Sequence, residues 1–180
     1  MSQIREMSAP VDLPLYIPHM FAEGKIRMAS TVAVANRFIE LSLENSDPLT
    51  PMQLLKLVYI AHGWMLGLTG RPLINDRVEA WQYGPVIPGL YARVRESRGA
   101  PIVKKISALF DKAELDADEA DIINQVYNAY KKFTGIQLSR MTHADGTPWA
   151  LSYEHGTFGK VIPVDLIEEH YKRLSERKTA

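Results

Sequence analysis

Thr50-Pro-Met-Gln-Leu-Leu-Lys-Leu-Val-Tyr-Ile-Ala-His-Gly-Trp-Met-Leu-Gly-Leu-Thr-Gly70 is the stretch on which the fold turns. Thr50 stands where a helix N-cap is expected, Pro51 occupies the first helical position, and Gln53 is placed to complete a capping box. From Leu54 to Leu68 apolar side chains then lie nearly all round the helix, and Gly70 ends it. A helix with no polar face has no side to give to water, so it is expected to be the central, most buried element, wrapped by the rest of the chain. Two residues stand against that background. Lys56 either snorkels to water or pairs with an acid such as Glu79; His62 reads as a core-edge histidine hydrogen-bonded to a carbonyl.

Upstream, Val34, Phe38, Ile39 and Leu41 form one broad face of a helix that starts at Ser30 and is stopped by Asn45-Ser-Asp-Pro48. Downstream, Leu73 and Ile74 read as a short strand and Val78 to Tyr83 as a second, with hairpin chemistry at Asn75-Asp76; Ile102, Val103 and Ile106 read as a third. Within this region Glu79-Ala-Trp-Gln-Tyr-Gly-Pro-Val-Ile-Pro-Gly-Leu-Tyr91 reads as strand, turn and helix. Gly84-Pro85 ends the strand, and Pro88 opens a helix that runs to about Arg98-Gly99. Asp116 and Glu119 cap a further helix with Ile122, Ile123, Val126, Tyr127, Tyr130 and Phe133 as its stripe and Gly135 as its stop. Leu138 to Thr142 makes a turn or two of helix, Pro148-Trp149 opens a short one, and Ile162-Pro163 introduces an amphipathic last helix with Ile167, Tyr171 and Leu174. The expected class is α+β, predominantly α-helical: a helical core around the central helix (about 50–69) with a small two- or three-stranded sheet (about 73–106). Residues 1–27, with Pro10, Pro14 and Pro18, read as an extended or flexible N-terminal arm, and 28–180 as one domain.

The chain of 180 residues carries 21 basic and 21 acidic side chains, so no global field favours nucleic acid. It has no cysteine, which removes disulfides, thiolate nucleophiles and sulfur-ligated zinc. There is no apolar run long enough to span a bilayer and no export signal pattern, so a cytoplasmic address without membrane contact is expected. Charge is zoned locally, with Arg93, Arg95, Arg98, Lys104 and Lys105 in one run and acids from Asp111 to Asp121 in the next. No helical histidine pair, nucleophile elbow, phosphate loop or dinucleotide fingerprint occurs. Thr142, His143 and Asp145 are adjacent in sequence, which is weak evidence for a triad; a loop histidine beside an Asx-type turn is the plainer reading. Trp81, Tyr83, Tyr91 and Trp149 are either an exposed recognition patch or core aromatics, and solvent exposure decides between the two.

With these residues in view, Leu49 to Trp64, Thr69-Gly-Arg-Pro-Leu73, Glu79 to Val86 with Tyr91, the pairs Thr142-His143 and Pro148-Trp149, and the final Ile162-Pro163 helix together resemble the Panacea domain of SocA-like antitoxins, also described as phage-associated GepA-type proteins. The resemblance covers roughly residues 30 to 175. It implies a non-enzymatic bacterial antitoxin without cofactor that binds and neutralises a cognate, SocB-like protein toxin, and a proteolytic adaptor that delivers the toxin to the ClpX unfoldase of the ClpXP protease. The toxin is then expected at Trp81, Tyr83, Pro85, Val86 and Tyr91, with Arg93 and Arg95 steering it. The protease is expected at Leu13, Leu15, Tyr16 and Ile17 of the arm, or at the acidic run. The competing reading is a nucleic-acid-binding autoregulator using the run Arg93 to Lys105, against which the zero net charge argues.

Overall fold

Capping chemistry sets the helix starts. In the computed structural model, which describes residues 29–107 and 114–177, Ser30 caps α1 (Thr31–Glu44) and the Thr50–Gln53 capping box opens α2 (Pro51–Thr69), with Gly70 left-handed at its end. The segment Leu13 to Ile17 lies outside the described residues. The hairpin strands β1 (Glu79–Trp81) and β2 (Gly84–Val86) lead into α3 (Pro88–Val94), which tightens into a 3₁₀ turn at Arg95–Ser97. Asp116 and Glu119 make the expected box on α4 (Ala117–Tyr130), and Thr134 and Gln137 make another on α5 (Gly135–Thr142). The chain closes with α6 (Pro148–Ser152), β3 (Lys160–Val161) and α7 (Val164–Glu176).

Helix α2 is the axis of the molecule: α1, α3, α4, α5, α7 and strand β2 all pack on it. Leu54, Leu57, Val58, Ala61, Trp64 and Met65 are wholly buried, and each large apolar side chain so placed contributes about 1.5–3 kcal/mol. Its C-terminal half meets α7 at van der Waals limit. A Cβ on Gly63 would lie 2.1 Å from the Tyr171 ring, and one on Gly67 2.6 Å from the backbone of Tyr171 and Lys172. Glycine lets the two helix backbones approach.

The sheet departs from expectation in three ways. Gly84-Pro85 does not end the strand; it begins β2, which pairs antiparallel with β1 in the register Glu79↔Val86, Ala80↔Pro85 and Trp81↔Gly84. Proline is tolerated because the strand order β2-β1-β3 leaves β2 at an edge, where a missing N–H costs no ladder bond. The hairpin turn is therefore Gln82-Tyr83 and not Asn75-Asp76, and Ile74 makes only a parallel bridge to Ala29. The third strand is Lys160–Val161, paired with Ala80 and Glu79, and not Ile102 to Ile106; Ile102 is instead buried, its N–H bound to the Leu49 carbonyl at 2.8 Å. Gly135 is likewise not the stop of α4 but the first residue of α5, where a Cβ would lie 2.9 Å from that of Met52.

Candidate partner-binding groove

Side chains from neighbouring helices hold the hairpin by its carbonyls. Ser139 donates to the Tyr83 oxygen at 2.6 Å, the Trp149 indole to the Trp81 oxygen at 2.7 Å, and the Lys56 ammonium to the Pro85 oxygen at 2.9 Å. So short a sheet has little stability alone, and these three bonds tie it to α5, α6 and α2. Gly84, at φ 102, takes a backbone conformation other residues resist, and a Cβ there would meet the Lys56 nitrogen at 2.7 Å. Lys56 thus neither snorkels nor pairs with Glu79, which is occupied by Arg77 at 2.7 Å and by the Trp81 indole at 2.8 Å. It stays 2% exposed, and burial pushes its ammonium down to about 7.

Between the hairpin, the start of α2, α3 and the loop before β3 lies a groove of about 670 Å³. Met52, Leu55 and Lys56 contribute from α2, Trp81, Tyr83 and Val86 from the hairpin, and Tyr153 and Phe158 from the chain after α6. The face of α3 and its 3₁₀ extension adds Tyr91, Val94, Arg95 and Arg98, spaced three and four apart. The Trp81 ring anchors the rim, 5.0 Å from Tyr91 and 4.9 Å from Phe158. Tyr83 is 64% exposed and Phe158 79% exposed, which makes this a patch of large apolar side chains facing water.

Five of the residues expected to receive a partner therefore share the groove: Trp81, Tyr83, Val86, Tyr91 and Arg95. Pro85 and Arg93 do not. Pro85 is buried on β2 and offers its carbonyl to Lys56, while Arg93 is two residues from Tyr91, off the groove face of α3, and reaches the Ser107 carbonyl at 3.3 Å. Trp149 stands behind the hairpin, stacked on Tyr153 at 4.5 Å. Phe158 and Tyr153 escaped sequence reasoning because a single aromatic in a Gly-rich loop carries no periodic signal; Lys56 carried one, as a charge in an apolar helix.

The remaining candidates disperse. Thr142 directs its hydroxyl at the Leu138 and Ser139 carbonyls of its own helix, both 3.0 Å away, and His143 leans on Trp149, its basicity lowered by burial and by Lys56. His62 accepts the Ile74 N–H at Nδ1 and among the described residues donates to no carbonyl, and burial pushes it down to about 4. The basic run splits: Arg95 and Arg98 face the groove, Arg93 turns away, and Lys105 pairs with Glu40 on α1. Among the described residues no three His, Asp or Glu side chains gather as a metal site, and no helix is long and apolar enough to cross a membrane.

A family model described as Antitoxin SocA-like, Panacea domain, matches residues 54–150, more than half of the chain. The chain belongs to this SocA-like Panacea family. Antitoxin SocA of Caulobacter vibrioides (strain NA1000 / CB15N) is 32% identical over 125 residues, and the match spans 65% of this chain and 66% of that protein. At that identity it is a relative and not the same protein. No solved structure gives a significant match. The matched Panacea segment includes Leu55, Lys56, the hairpin and the α3 face, so it builds most of the groove; Met52, Tyr153 and Phe158 fall outside it.

Proposed function

We propose that this chain is an antitoxin that binds a cognate protein toxin at the Trp81–Phe158 groove and neutralises it, and that it does so as a proteolytic adaptor, handing the toxin to the ClpX unfoldase of ClpXP. The observation that carries the reading is the coincidence of two things: the segment matched by the SocA-like family model is the one that builds most of the groove, and that groove exposes the residue types that dominate protein interfaces. An adaptor needs surfaces and no catalytic groups, and Lys56, Ser139 and Trp149 are engaged in holding the hairpin that walls the groove.

The reading is tested by co-expressing the chain with the product of the adjacent reading frame. Relief of growth arrest, co-purification of the two proteins, and a shortened toxin half-life only when ClpX is present are the expected results. Relief without any change in toxin level would retain the antitoxin and remove the adaptor. A Tyr83→Ala, Phe158→Ser variant that folds and still captures the toxin with unchanged affinity would move the docking surface elsewhere.

A further inference from the structure

Among the described residues the charged groups that line the groove are Lys56, Arg95 and Arg98, with no carboxylate among them. Arg95 and Arg98 are exposed and form no ion pair among the described residues. Lys56 is 2% exposed, and the bond to the Pro85 oxygen is its one hydrogen bond among the described residues, against the three donors of an ammonium. A buried cation without a counter-ion is costly, and its basicity is accordingly depressed by burial to about 7. Around these cations the walls are apolar and aromatic, and the volume of about 670 Å³ falls within the roughly 300–1,000 Å³ of ordinary ligand pockets.

We infer that the groove takes an acidic, aromatic-rich segment of a protein partner, with apolar side chains seated among Trp81, Tyr91 and Phe158 and a carboxylate meeting Lys56 while Arg95 and Arg98 receive the flanking acids. This rests on the antitoxin reading for the identity of the partner, and on charge complementarity for its chemistry. A phosphate-bearing strand is the lesser match: the chain as a whole has no net positive charge, and the neighbouring bases Arg93 and Lys105 turn away from the groove to Ser107 and Glu40.

The test uses the full ¹⁵N-labelled chain and two capped hexapeptides, one alternating aspartate and phenylalanine, the other with asparagine in place of aspartate. The reporter is the Trp81 indole N–H, assigned with Trp81→Phe. The aspartate peptide is expected to saturate the Trp81 shift with affinity about tenfold or more above that of the asparagine peptide. That preference is expected to fall in Arg95→Gln, Arg98→Gln and to vanish in Lys56→Met; should Lys56→Met fail to fold, the exposed arginine pair still decides. Equal binding of both peptides, no response of Trp81 to either, or displacement of the aspartate peptide by a uridine hexamer would overturn the inference. Peptide preference lost in the arginine variant while toxin is still captured at full affinity overturns this inference and spares the antitoxin reading. Peptide preference intact with no toxin captured supports this inference and removes the antitoxin reading.

Discussion

The two ends of α2 are built from one continuous apolar helix and have opposite fates. Around Gly63, Trp64 and Gly67 the helix is sealed: Tyr171 packs edge-on against Trp64 at 5.3 Å, and the α7 backbone sits where a Cβ of Gly67 would be. Around Met52, Leu55 and Lys56 the packing of α3, α5 and the hairpin leaves a gap, and the same kind of surface floors an open groove. The difference teaches that apolarity along a helix specifies burial only where a partner element is supplied. Where the surrounding elements leave a gap, the surface stays open to water.

The largest effect expected from breaking this contrast is at the sealed end. Trp64→Ala removes a wholly buried ring and the indole bond to the Tyr130 hydroxyl at 3.3 Å, so a loss of about 3–5 kcal/mol in urea unfolding is expected. At the open end the sharper probe is pH. Burial holds Lys56 at about 7 in the folded protein, against the ordinary 10.5 of a lysine, so above pH 7 the unfolded chain binds the extra proton. Stability contributed through this group therefore rises with pH, by about 1.4 kcal/mol per unit, or about 2–3 kcal/mol from pH 7 to pH 9. Lys56→Met should flatten that slope. His62 and His170, both lowered to about 4 by burial, act in the same direction in a separate window, between their folded values and 6.5.

Next in size is Gly67→Ala. Helix propensity favours alanine by about 1 kcal/mol, but overlap with the α7 backbone costs about 3, so a net loss of about 2 kcal/mol is expected, visible as a lower urea midpoint at unchanged m-value. The smallest effect on folding is Phe158→Ser at the groove lip, where an exposed side chain changes stability by less than about 0.5 kcal/mol. Its consequence should appear only in partner capture, and a destabilisation comparable to that of Gly67→Ala would show that the lip belongs to the core after all.

Local rules read most helix boundaries correctly because caps are local: Ser30, Thr50 and Asp116 each bond the backbone within three residues. They failed where the deciding partner was remote. Pro85 carried a strand-breaking signal that the edge position of β2 cancels, and Gly135 carried a helix-stop signal whose cause is the approach of Met52. Half of the groove was legible as an aromatic-rich segment, Trp81 to Tyr91, whose exposure was open. The loop that contributes Phe158 was not, since nothing local pairs Lys160–Val161 with β1.

Sequence alone determined the helix order, the capped and wholly apolar α2, and a predominantly helical α+β class, because each rests on interactions within a few residues or on periodicity. Tertiary structure alone decided that Trp81, Tyr83, Tyr91 and Phe158 stand at an open groove, that Pro85 and Arg93 do not, and that Lys56 is bound beneath the hairpin. Exposure is a property of what packs against a side chain, and those partners come from segments far apart in the chain.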